Sequence, residues 1–470
     1  SSLCSERLAA YRAAPHDAEE HGNIETSVLA GGYAYRQIAE LIQNAADAVS
    51  EAGDPEVRGR IVVEIDGNGL WAANSGAPVD RAGVRALLNS HASGKRAGQI
   101  GRFGLGFKSL LRLGGRINVL SRTVCLGFDP DWCRAYIRSH LSLHDDAIVP
   151  GLRMAIPQAW QTALPALAGA DRFDWATTIV HAELVGQGAR EAVVEEIRRF
   201  PSEFLLFLPH DIDLQLRGGG VERLLARRTE ADGTVVIEDL AAERQGVQRW
   251  RVFQTSAHIT DEAAHEDATS VHSRESVPII WAAPVGTQRE AAGRFFAFFP
   301  TATETRTSGI LNAPWKLNSD RTAVIPGAWN SALMEKAADL IVASLPQLAA
   351  DTDPGVVLDA FPRELANAAE PAAPLVAALW SRLIDAPVIP NCDGELLVGS
   401  DLRRAPVDQS DLIQRWSEIA SPEDCESHLH PGCTATPARV ARLGQLADRL
   451  ATRTGGAGPG LARTAPTSWI

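Results

Sequence analysis

Apolar positions recur with helical spacing through YRQIAELIQNAADAVSEA, residues 35–52. On a wheel of about 100° per residue, Ile38, Leu41, Ile42, Ala45 and Val49 gather on one side. Glu40 lies on the other, with Asn44 and Asp47 within roughly 40° of it. No Lys or Arg follows Arg36 on this helix, although a solvated acidic face usually carries bases that pair with its acids. Alternation predicts strands at RIVVEID (60–66) and LWAAN (70–74), joined by a Gly67-Asn68-Gly69 turn. Helical spacing returns at 80–90, with Asp80 placed as N-cap, and IGRFGLGFKSLLRL (100–113) reads as a Gly-rich turn opening a helix. A strand or strand pair is expected at 117–128, a strand at 177–184 and a helix at 190–200.

Upstream, residues 1–32 read as a short helix (5–13) followed by a polar segment. Downstream, Arg217-Gly218-Gly219-Gly220 marks a candidate boundary. TVVIEDL, QRWRVFQ, PIIWAAP and RFFAFFP read as strands, and WNSALMEKAADLIVASL as an amphipathic helix. Residues 256–276 are polar and unpatterned, which predicts a mobile loop with His258, His265 and His272 in solvent. The last 120 or so residues are helix-rich, with a Pro-marked stretch at PVIPNCDGELLV, and the Gly/Pro-rich tail is expected to be disordered. The order of elements argues for an α+β class. Four regions are expected: 1–215, a middle domain at 216–350, a helix-rich region at 351–450 and a flexible tail at 451–470.

Composition narrows the partners. The formal net charge is −13, from 58 acids and 45 bases, which argues against a general nucleic-acid surface. No apolar run approaches the roughly 20 residues of a membrane span. The first residues lack a basic segment followed by an apolar one, so no secretory leader is expected. Six cysteines in 470 residues fit a reducing, cytoplasmic setting.

Three stretches in order carry candidate chemistry: ELIQNAADA (40–48), ANSGAPVD (73–80) and IGRFGLGFKS (100–109). Asn44 offers a neutral oxygen to a hard cation such as Mg²⁺, which takes few protein ligands and fills the rest with water and phosphate. Glu40, one turn earlier, can orient or deprotonate a water. Asn74 and the Gly76 turn can approach a flat base. Gly101, Gly104 and Gly106 present backbone N–H groups to phosphates, and Lys95 and Lys108 add point charges. Each motif alone is an ordinary turn or packing signal, and their joint order is what points to a nucleotide site. Separately, Cys425, His428, His430 and Cys433 form a C-x-x-H-x-H-x-x-C cluster that could hold zinc, although four ligands within nine residues are cramped.

The ordered triple resembles the GHKL superfamily of gyrase, ninety-kilodalton heat-shock chaperone, histidine kinase and MutL. Its forms here are most similar to sacsin-type and ninety-kilodalton chaperone N-terminal domains, and microrchidia ATPases share the G-x-G-F-K-S style. The resemblance implies a Bergerat fold: a mixed sheet with helices on one face, followed by a transducer-like middle domain, with ATP bound between helices. It makes Glu40 the general base, Asn44 the Mg²⁺ ligand and Asp47 a polar pocket residue. It places Asn74 where the family usually has an adenine-binding Asp, Gly76 as the glycine that follows, and Pro78 in place of a second glycine. Gly101, Phe103, Gly104, Leu105, Gly106, Phe107 and Lys108 correspond to the phosphate loop, residues 87–99 to the lid, and Thr177 (or Thr178) to the adenine-side threonine. KLNSDR resembles the chaperone's middle-domain loop, making Arg321 a phosphate sensor, with Lys316 as alternative. The implied activity is a Mg²⁺-dependent ATPase coupling ATP binding and hydrolysis to conformational change. It would serve a chaperone-like machine with a protein client, or a larger bacterial complex with partner subunits, for example in phage defence, and could form an ATP-dependent homodimer. A DNA-transaction ATPase resembling MutL or microrchidia proteins, and a non-hydrolysing ATP-gated scaffold, are the alternatives.

Overall fold

A computed structural model describes residues 2–30, 37–52, 58–88, 106–144, 146–208, 211–241, 244–272, 276–286, 293–349, 353–406, 410–454 and 460–464. The protein is mixed α/β, with many helices and a large mixed sheet. Its contacts divide it into two units. The first holds Ser1–Glu230, Val236–Gln248 and Ser319–Arg321; the second holds Ala231–Val235, Arg249–Asn318 and Thr322–Ile470. Gly218-Gly219-Gly220, expected at a boundary, is the turn of a hairpin inside the first unit, where Gly218 pairs with Val221.

In the first unit the predicted hairpin forms from β1 (Gly59–Asp66) and β2 (Gly69–Asn74). β2 is flanked by β6 (Thr178–Leu184), then β3 (Gly114–Ser121), β4 (Cys125–Phe128) and β5 (Ile156–Gln158), all antiparallel. On its other side β1 pairs in parallel with β7 (Ile212–Gly218), which turns into β8 (Val221–Thr229). Register decides the faces. Val62 lies opposite Ala73, and Ala73 opposite Ile179. These pack with Trp71, Leu120 and Phe173 beneath α6 (Trp160–Ala166) and the 3₁₀ turn Ala170–Phe173. The alternate residues of β1 and β2 therefore face α3 (Gln37–Ala52), the helix of the opening motif. All six residues of β2 are buried, because the sheet is covered on both faces at this point.

Two helices precede α3. α1 (Ser2–Ala13) matches expectation, but the polar segment after it is a helix as well, α2 (His16–Ala30). Its inward face is Ala18, Gly22 and Glu25, at i, i+4 and i+7. Small and charged residues occupy that face, so hydrophobicity does not reveal it. Gly22 is required there, since a Cβ would lie 2.2 Å from Ile148 O. The stretch 80–90 gives α4 (Arg81–Leu88), with Asp80 Oδ1 accepting from Gly83 N at 2.7 Å. α5 (Pro130–His140) is capped by Asp129, and α7 (Gln187–Arg199) packs on α3, β7 and β8.

The second unit carries β11 (Val277–Pro284), β12 (Arg294–Ala297), β13 (Phe299–Glu304), β14 (Ile310–Asn312) and, from Arg249 on, β10 (Arg244–Ala257), in the order β13-β12-β14-β11-β10. β9 (Thr234–Ala241) is shared in sequence between the units. The expected mobile loop at 256–276 instead contains α8 (Glu262–His272). Ala264 and Ala268 are fully buried, an apolar stripe two alanines wide that composition hides. His258 is exposed, as expected, and His265 is half-buried with Nε2 2.6 Å from Ile259 O. The side chain of His272 lies outside the described residues.

α9 (Ala328–Ser344) follows the amphipathic pattern. The residues after it do not build a separate core. α10 (Ala373–Leu383) and α13 (Pro437–Thr454) share one hydrophobic cluster with Trp281, Trp315 and Trp329. Arg439 anchors this region through paired bonds of 2.7–2.8 Å to both Asp353 and Asp359. Within the tail, residues 455–459 and 465–470 lie outside the description, but Leu461 is buried and donates to Leu402 O. No helix among the described residues is long and apolar enough to cross a membrane.

Candidate functional site

The polar face of α3 is not a solvated stripe. Glu40 is 8% exposed and Asp47 5%, while Asn44 between them is exposed. Burying a carboxylate is costly without partners, and Glu40 has one: Oε1 lies 3.8 Å from Arg321 Nη1, within the same unit. Arg321 sits at φ 58°, a conformation uncommon for a residue with a side chain. The first turn of α3 is held by Glu196 of α7, whose Oε1 accepts from Ala39 N at 3.0 Å.

Opposite α3, register places three polar residues in one row across the sheet: Asn74 on β2, Thr178 on β6 and Ser121 on β3. Asn74 is paired with Ile61 of β1, so the row lies on the α3 side. Asn74 Oδ1 accepts from Gly76 N at 3.0 Å, closing a turn over its own backbone. Thr177 fastens this turn to β6. Its N–H donates to Asn74 O at 2.9 Å, and its Oγ1 donates to Gly76 O at 2.5 Å. Thr178 Oγ1 donates to Ser121 Oγ at 3.1 Å, and Ser121 Oγ accepts from Val79 N at 2.9 Å. Gly76 presses on α3 itself: a Cβ there would be 2.3 Å from Ala48 C and Val49 N. Ala77 N donates to Ala48 O at 2.7 Å. The glycine thus serves close approach to a helix backbone.

Gly106 opens a helix as expected, of 3₁₀ type, Gly106–Leu113. Phe107 is buried edge-on against Phe128, centroids 5.0 Å apart. Lys108, expected beside the phosphates, turns its side chain inward. It is fully buried, and Nζ donates to Leu87 O at 3.0 Å and Leu152 O at 2.8 Å. Burial pushes its pKa down to about 7, against the pull of Glu25 3.9 Å away. Lys95, Gly101, Phe103, Gly104 and Leu105 lie outside the described residues, as does most of the expected lid. Lys316, the alternative sensor, is engaged with Asp267 in the second unit.

The four residues of the C-x-x-H-x-H-x-x-C cluster do not converge. Cys425 Sγ donates to Ser417 O and Cys433 Sγ to Pro390 O. His428 Nδ1 lies 2.8 Å from Asp424 O, and His430 Nδ1 accepts from Gly432 N. Burial raises both thiols above their ordinary pKa, disfavouring the thiolate that zinc requires. Among the described residues no group of three or more His, Cys, Asp or Glu side chains could hold a metal ion.

Four contributors escape motif reading: Ser121, Glu196, Glu25 and Arg153. Only Ser121 carries a local signal, as the end of a strand before a turn. Glu25 is buried and accepts from Gly151 N and Leu152 N, contacts that join residues more than 120 positions apart. No protein-family model matches this sequence, and no curated protein matches it either.

Proposed function

We propose that the chain is a Mg²⁺-dependent ATPase of the GHKL type, coupling ATP binding and hydrolysis to conformational change. The observation that carries this reading is the burial of Glu40 and Asp47 on the one helix face that also presents Asn44, opposite the Asn74–Thr178–Ser121 row. A buried carboxylate beside an arginine is suited to hold an attacking water, with Glu40 accepting its proton. Arg321, 3.8 Å from Glu40, would supply positive charge to the transferring phosphoryl group. Asn74 would accept from the adenine amino group through the lone pair that Gly76 N leaves on Oδ1. Thr177 would hold the turn beneath the base. Asn44, oxygen-bearing and exposed on the face beside Glu40, suits Mg²⁺, which would neutralise phosphate charge when bound.

A Bergerat arrangement accounts for α3 and α7 lying on one face of a mixed sheet. The cover of α6 and its 3₁₀ turn over the other face would be an addition to it. A chaperone-like or complex-bound role, acting on protein partners, fits the acidic charge better than a DNA transaction.

The test is ATP turnover by the purified chain with and without Glu40→Ala. Turnover is expected to fall about 10²-fold or more, with ATP binding retained in calorimetry. Equal turnover in the two proteins would remove Glu40 as the base, and absence of ATP binding in the unaltered chain would sink the whole reading.

A further inference from the structure

The motif lysine has a use that nucleotide chemistry does not explain. Lys108 Nζ is sealed in the interior of the first unit with two acceptors, Leu87 O and Leu152 O. An ammonium has three N–H donors and a neutral amine two. Glu25 Oε1 lies 3.9 Å away, outside hydrogen-bond reach. That carboxylate is already held by Gly151 N at 2.6 Å and Leu152 N at 3.3 Å. Among the described residues, the two acceptors in reach therefore match a neutral amine donor for donor.

Leu87 belongs to the last turn of α4, whose final carbonyls have no partner within the helix. Arg153 Nη1 donates to the next one, Leu88 O, at 3.2 Å. Lys108 and Arg153 thus cap the same helix end side by side, and two full charges there would repel.

We infer that Lys108 works as a neutral amine that ties the carboxyl end of α4 to the 3₁₀ helix of the glycine motif, and that taking up a proton loosens this tie. A third N–H would need Glu25 to approach by about 1 Å, stretching its bonds to Gly151 and Leu152 and shifting α2. The groups bearing on that proton are Glu25 and His21 of α2, Arg7 of α1, Cys133 of α5, and Arg153. Glu25 favours the charged amine; Arg153 and Arg7 oppose it, and so does burial. Any effect on ATP rests on the nucleotide reading above; the tie does not.

The chain has four lysines, at 95, 108, 316 and 336, so carbon-13 labelling at lysine Cε yields four signals to titrate in the intact protein. One is expected to titrate near neutral pH and to vanish in Lys108→Arg. Hydrogen exchange of the α4 peptide, corrected for intrinsic pH dependence, should step up below that midpoint, and the step should be lost in Lys108→Met. Should that variant not fold, Glu25→Gln serves instead. It keeps an acceptor oxygen and removes the charge, and should lower the Lys108 midpoint by about one pH unit. The absence of a near-neutral lysine signal that Lys108→Arg removes, an α4 peptide without the step, or a midpoint indifferent to Glu25→Gln would each overturn the inference. A chain with the titration and the step that binds no ATP would keep this inference and remove the proposed function.

Discussion

Gly76→Ala places one methyl group where the backbone of α3 already runs. The new Cβ would sit 2.3 Å from Ala48 C and Val49 N, and 2.5 Å from Ala48 O. Carbon contacts settle at about 3.5–4.0 Å, so the turn and the helix must part by more than about 1 Å. No rotamer change relieves this, because all three atoms are backbone. The bond from Ala77 N to Ala48 O, 2.7 Å long, lies beside the clash and would be stretched or lost. Overpacking costs about 1–3 kcal/mol and the lost bond about 1 kcal/mol more, giving a loss of about 2–4 kcal/mol. In a unit of this size each kcal/mol shifts the midpoint by about 2–4 °C, so the first unit should melt roughly 10 °C lower. Calorimetry of the full chain reads this, with Gly188→Ala in α7 as control. A methyl group at Gly188 would meet no atom within 4 Å, and this substitution should leave the midpoint within about 1 °C or raise it. A Gly76→Ala protein melting within about 2 °C of the unaltered chain would show that the turn does not press on the helix.

Two further outcomes are expected. Asn74→Asp converts the acceptor facing the proposed adenine amino group into a charged one, and ATP affinity by calorimetry should rise about 3- to 10-fold; unchanged or weaker binding would argue that Asn74 does not read the base. Arg439→Met removes the paired bonds of 2.7–2.8 Å to Asp353 and Asp359, leaves Asp359 with Arg442 at 3.6 Å, and should cost the second unit up to about 3–5 kcal/mol in denaturant unfolding. A loss under 1 kcal/mol would refute the assignment of this network as its anchor.

Elements whose periodicity is carried by large apolar residues were legible in the sequence: α3, the β1–β2 hairpin, β6, α7 and α9. Those whose buried face is made of small or charged residues were not. α2 turns Ala18, Gly22 and Glu25 inward, and α8 turns Ala264 and Ala268 inward. The candidate site divides the same way. Grouping Glu40, Asn44 and Asp47 needed only a helical wheel, but their burial depends on what packs over them. The row formed by Asn74 with Thr178 and Ser121 depends on strand register, which no local pattern encodes. The burial of Lys108 was not legible because its surroundings, Leu87, Leu152 and Glu25, lie 21, 44 and 83 positions away in the chain.

The parallel pairing of β1 with β7 has a consequence during synthesis. Ile61 pairs with Leu214, so the ribosome adds about 150 residues between the two partners. At about 5–20 residues per second this is a delay of roughly 10–30 s. Throughout it, one side of β1 offers its N–H and C=O groups to any passing strand. A fragment stopped at residue 215 ends inside β7, which runs Ile212–Gly218, and leaves that side only partly covered. A soluble fragment of the first unit must therefore extend beyond β8, and a nascent chain of this protein needs protection along β1 for that interval.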